Sequence, residues 1–168
     1  MFRTSFRCST KLLVVAHLVL LAACGPATSR HQPVAPEGTK EIPAPDRLYH
    51  SESGSFPNET RLVIQDSSAW NQAWVTATAH VLPAPPRPSV NFTTHMVIVV
   101  AEGPSMVPGD SLYVVGLRIS QTRAVAMVRT VRLCGLEQML TAPVDIVRIP
   151  RVEQRVVFEE TIVRSSCL

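Results

Sequence analysis

The chain has 168 residues, 46% of them apolar and 17% charged, with a formal net charge of +3. That suffices for one domain with a real hydrophobic core, and it excludes a disordered tail, a collagen, a disulfide-dense miniprotein and a polytopic membrane protein. Arg3, Arg7 and Lys11 supply the whole excess, and from Cys24 onward 13 Lys+Arg face 13 Asp+Glu. A neutral mature chain argues against nucleic acid as a partner.

Residues 1–11 are short and positive, and 12–23 form an apolar run interrupted only by His17. Such a run gives about 18 Å of helix, well short of a bilayer core of about 30 Å. A charged segment followed by a short apolar one has the layout of a secretory signal, so residues 1–23 are read as a signal peptide. It ends in Leu21-Ala22-Ala23-Cys24-Gly25, which resembles a bacterial lipoprotein box. Small residues let the peptidase approach the backbone, and the Cys24 thiol takes a diacylglyceryl group. The expected product is held in the cell envelope by lipid without spanning the membrane. Gly25 replaces the aspartate that retains some lipoproteins in the inner membrane, which favours the outer one.

Residues 24–45 read as the lipidated cysteine and a tether. Pro26, Pro33, Pro36, Pro43 and Pro45 stand among polar residues with few large apolar side chains, so the segment is expected to stay extended. At about 3.1 Å per residue it could hold a domain up to about 60 Å from the bilayer.

The globular part is expected over 46–168. A polar strand at 48–53 and a better one at 61–65 come first. Asp66-Ser67-Ser68 then supplies a helix N-cap, because these side chains accept bonds from the first-turn amides. Trp70, Ala73, Trp74 and Ala77 recur at i, i+3, i+4 and i+7, one stripe of a helix over about 67–80. The proline run 83–88 stops it. Strand signals follow at 90–92 and 96–101, taken as one strand or a bent pair. The continuous apolar run of the second suits a central strand covered on both faces. Segments 112–120 and 123–134 read as a hairpin around Gln121-Thr122, and 144–149 with 154–163 as a final pair around Pro150-Arg151. The sum is an α+β domain, with about seven strands in a mostly antiparallel sheet and one packed helix.

The order of these motifs carries a resemblance. Ile64–Trp74, then Val90-Asn91-Phe92, then a Val-rich strand ending in Glu102-Gly103, then Thr141-Ala142-Pro143-Val144-Asp145-Ile146-Val147-Arg148-Ile149-Pro150 is similar to the C-terminal domain of the protease-complex subunit PrcB family. The likeness covers roughly 60–160 and implies a β-rich accessory or binding module in an envelope lipoprotein. It departs from the family where a Thr-Gly-Gly-Tyr-like step is usual and this chain has Val107-Pro108-Gly109-Asp110-Ser111-Leu112.

Cys8 leaves with the signal and Cys24 is lipidated, so Cys134 and Cys167 remain. In an oxidising compartment this even pair suggests a disulfide, worth about 3–4 kcal/mol for a loop of about 33 residues. Two buried thiols or a metal site are the alternatives, though no Cys-x-x-Cys or His pair supports a metal. No zinc-protease, nucleophile-elbow or phosphate-loop motif occurs, and His50, His80 and His95 match no common ligand spacing. The chain is therefore expected to be non-catalytic and without a cofactor.

The charge is split within the mature chain. Residues 118–168 hold eight arginines, among them Arg118, Arg129, Arg132, Arg148 and Arg151, against five acids. They form either a docking face for a carboxylate-rich partner or the ordinary solvent face of a sheet. Trp70, Trp74 and Tyr113 are either core anchors or a platform for a small ligand or glycan. The favoured reading is a lipid-anchored protein that binds or stabilises a partner protein such as an envelope protease. The alternative is a small-ligand or glycan-binding module.

Overall fold

Alternation of apolar and polar residues sets up most of the strands. The computed structural model describes residues 38–43, 45–106, 111–132 and 140–164, all within the compact unit 35–168. These residues form eight strands and one helix in the order β1 (Lys40–Pro43), β2 (Asp46–Ser51), β3 (Thr60–Ile64), α1 (Ser67–Ala77), β4 (His95–Ala101), β5 (Ser111–Ile119), β6 (Arg123–Arg132), β7 (Val144–Pro150) and β8 (Arg155–Arg164). The signal peptide, Cys24, most of the tether, Cys134 and Cys167 lie outside the described residues. Among the described residues no helix is long and apolar enough to cross a membrane.

The strands make two four-stranded sheets, β1-β5-β6-β8 and β2-β7-β4-β3. Every pair is antiparallel except β6–β8. Two cores result from the period-2 alternation of side chains. Met96, Ile98, Val100, Val147 and Ile149 of the second sheet pack against Leu112, Val114, Leu117, Ala126 and Val128 of the first. Val97, Val99, Ala101, Val144 and Ile146 point the other way, onto α1. This explains why β4 is apolar at every position from 96 to 101: it is the middle layer, buried on both faces. Each such Val or Ile contributes about 1.5–3 kcal/mol of burial.

The helix forms as its stripe predicts. The Asp66 carboxylate accepts from the Ala69 amide at 2.9 Å. Trp70, Ala73, Trp74 and Ala77 are all buried. Both indole N–H groups donate to carbonyls of the proline-rich loop, Trp70 to Pro88 at 2.9 Å and Trp74 to Pro85 at 3.1 Å. A loop poor in backbone donors thus satisfies the polar ends of two core aromatics. The helix ends at Ala77, earlier than the expected 80. There the Thr78 hydroxyl donates to the Trp74 carbonyl at 2.8 Å, a local bond that competes with continuing the helix.

Among the described residues there are eight strands, in line with the roughly seven expected, but some details change: Val90–Phe92 is loop. Lys40–Pro43, expected in the tether, is an edge strand, because Ile42 packs into the inter-sheet core. One sheet becomes two. Finally, β7 and β8 are not a pair: β7 lies beside β4 and β2, whereas β8 runs parallel to β6 in the other sheet. Arg151 holds the crossing point, its amide donating to the Thr94 carbonyl and its Nη1 to the Phe92 carbonyl at 2.8 Å.

Candidate functional site

The most concentrated group of polar side chains lies where β2 approaches β5. Asp145 points from β7 into the space between the sheets and is fully buried. Its Oδ1 accepts from Arg47 Nε at 2.6 Å, and its Oδ2 from the Val114 amide at 2.8 Å. That amide adjoins the irregularity in the β5–β6 ladder between Val114 and Gly116, so the carboxylate serves a backbone donor near a break in the sheet. The hydrogen bond and charge of Asp145 raise the Arg47 guanidinium above its usual range, despite its partial desolvation.

His50 stacks on Tyr113 with ring centroids 4.8 Å apart, and Arg47 lies 5.5 Å above the same tyrosine ring. His50 Nε2 is 3.2 Å from Glu52 Oε1, and the Ser111 hydroxyl donates to that same oxygen at 2.9 Å. The imidazole therefore ends on a carboxylate, and the serine hydroxyl is held by that carboxylate rather than by the imidazole. This differs from a Ser–His dyad, in which the base takes the hydroxyl proton directly. The group acts as a bridge between β2, β5 and β7.

A second bridge joins the opposite edges. Arg61 on β3 donates to Glu160 of β8 at 2.6 Å, to Glu102 at 2.9 Å and to the Ala101 carbonyl at 2.6 Å. Burial works against its charge, but the bonds and charges of Glu160 and Glu102 outweigh this and raise the guanidinium above its usual range. Beyond this contact β8 ends the first sheet: its ten residues pair with β6 on one side only among the described residues. Ile162 and Val163 are exposed at 49% and 44%.

The singled-out residues are spread over the fold. Trp70 and Trp74 are in the helix core, while Tyr113 is on the far side of the second sheet against His50. They form no common platform. Arg118 and Arg129 lie on the outer face of the first sheet, by their pairing with Val125 and Tyr113. Arg132 ends β6 on the other alternation, Arg148 pairs with Asp46 on the helix side of the second sheet, and Arg151 is used in the crossing. The five arginines do not share one face. His95 meets the Thr94 hydroxyl at 2.8 Å and His80 the Ser55 hydroxyl at 2.9 Å, both at exposed sites.

Sequence reasoning missed Arg47, Glu52 and Arg61, whose partners lie up to 99 residues away. One signal was present: Asp145 is a lone carboxylate in an otherwise apolar strand start, and a buried carboxylate requires donors. Among the described residues no cluster of His, Cys, Asp and Glu suits a metal ion.

The described surface also carries concavities at two places. One of about 320 Å³ between α1 and β3 is lined by Phe56, Leu62, Ile64, Ala69 and Ala73. The other, of about 530 Å³, lies at the β5–β6 turn among Thr39, Arg118, Gln121, Thr122 and Arg123. Searches against protein-family models, curated proteins and solved structures gave no match.

Proposed function

We propose that the chain is a lipid-anchored envelope protein whose two-sheet domain binds and stabilises a partner protein, such as an envelope protease, as a non-catalytic subunit. The observation that carries this reading is the exposed edge of β8. A free strand edge offers a row of backbone donors and acceptors that an extended segment of another protein can pair with. The exposed Ile162 and Val163 add apolar surface on both faces of that edge. The lipoprotein box at Cys24 and the likeness to the PrcB C-terminal domain support the same reading.

A second copy of the chain fits this edge poorly. Symmetric antiparallel pairing across the middle of β8 sets Glu159 opposite Glu159 or Glu160 opposite Glu160, and like charges in register are unfavourable. The expected partner presents basic residues opposite Glu159 and Glu160. The two indoles that would motivate a ligand platform are in the core.

The test is capture of envelope proteins by the full-length lipidated chain and by an Ile162→Lys/Val163→Lys variant. Both positions are exposed, so stability should change by no more than about 0.5 kcal/mol each. A partner retained by the native chain and lost from the equally folded variant supports the proposal. Identical captures by both would reject β8 as the docking edge.

A further inference from the structure

We infer that the turn-proximal end of the first sheet's outer face is a docking surface for the anionic phosphate headgroups of the membrane that holds the anchor. The inference rests on the lipid-anchor reading of Cys24 and is independent of the partner at β8. Its centre is Arg123 and Arg155, which stand directly opposite each other in the parallel β6–β8 register. Both are exposed. Neither has an ion-pair partner among the described residues. Two like charges in register destabilise a sheet unless an anion lies between or above them.

The surroundings suit such an anion. Arg118 is on the same face, opposite Val125, two positions along β6 from Arg123. Its Nη1 is a loose 3.6 Å from Glu159 Oε2, and its Nη2 donates to the Met127 sulfur at 3.2 Å. Glu41 stands opposite Arg118 on β1, so Glu41 and Glu159 temper Arg118 and leave Arg123 and Arg155 as the net charge. The amide of Gln121 and the hydroxyl of Thr122 add donors around the concavity of about 530 Å³. Guanidinium groups fork onto phosphate oxygens, which makes arginine a suitable cation here.

The place where the tether enters the domain identifies the occupant. Thr39 lines this same concavity. Residues 25–38, 14 in all, separate Thr39 from the lipidated cysteine. At about 3.1 Å per residue, the extended form expected of that segment reaches about 43 Å. The arginine end is thus the end of the domain at which the tether enters. Each arginine gains about fivefold in binding at an anionic leaflet, falling off within about 8 Å.

The test uses the full-length lipidated chain reconstituted into phosphatidylcholine vesicles and into phosphatidylcholine/phosphatidylglycerol vesicles. The readout is amide hydrogen exchange at 120–124. The expected result is exchange slowed on the order of tenfold on the anionic vesicles alone, reversed by high salt. The protection should be lost in Arg123→Glu/Arg155→Glu and retained in Arg129→Glu, at the far end of the same face. Equal exchange on both vesicles, with the chain floating on both, would overturn docking while leaving the anchor intact. Failure to float on the neutral vesicles would overturn the anchor and docking with it. Equal protection on neutral vesicles by inorganic phosphate would assign the surface to a small anion instead.

Discussion

Asp145 shows how much one buried carboxylate can organise. It is fully buried and joins Arg47 of β2 to the Val114 amide of β5. Removing one partner of a buried pair costs more than the pair itself contributes, because the remaining groups keep their desolvation penalty. Asp145→Ala is therefore expected to lower stability by about 3–5 kcal/mol in equilibrium denaturant unfolding. Asp145→Asn keeps an acceptor for the Val114 amide and should lose clearly less. If the two variants unfolded at the same midpoint, the amide contact would carry no weight. The raised guanidinium of Arg47 adds no pH slope near neutrality. Its contribution is fully present below the usual guanidinium range and is lost only as strong alkali deprotonates the folded form. Asp145 was legible as an anomaly in an apolar strand, whereas Arg47 was not, since nothing local distinguishes it from any exposed arginine.

The edges, rather than the core strands, set the behaviour of the individual elements. Strand β1 is four residues long, and its backbone passes close to β5 at residue 116, a glycine. A Cβ there would meet the Ile42 carbonyl at 3.0 Å and the Met127 methyl at 2.8 Å. The methyl can move, but the carbonyl belongs to the β1 backbone. Gly116→Ala should push β1 back by a few tenths of an ångström and loosen its pairing, raising hydrogen exchange at Lys40, Glu41 and Ile42 while β6 stays protected. Unchanged exchange in β1 would mean that the two strands separate without loss of pairing. Gly103 has a different reason for its identity, a positive φ of 73° with the Asn58 backbone 2.9 Å from its would-be Cβ.

The β5–β6 hairpin was readable because its turn is short and local. The separation of β7 from β8 was not, because Pro150-Arg151 ends a strand equally well whether the chain turns back or crosses to another sheet. Arg151's bonds to Thr94, Phe92 and Gln65, all far away in the chain, favour the crossing.

For the molecule as a whole, stability should be graded by layer. The middle strands β4 and β7 are flanked on both sides and covered on both faces, so their amides are expected to exchange last and those of β1 and β8 first. Arg61 couples the outer edges, and Arg61→Ala should speed exchange in both β3 and β8 with a loss of about 1–3 kcal/mol. Faster exchange in β3 alone would show that Glu160 does not tie the sheets together.

The class of fold, the helix with its cap and stripe, the doubly buried strand and the local hairpin were determined by the sequence alone. Each follows from short-range periodicity and capping chemistry, which depend on neighbouring residues. The tertiary structure alone decided that there are two sheets, that β8 joins the first in parallel, that the tether's end becomes a strand and that the arginines separate onto different faces. Those outcomes depend on pairings between residues far apart in the chain, where the free energy of one long-range contact selects among arrangements that local patterns leave equivalent.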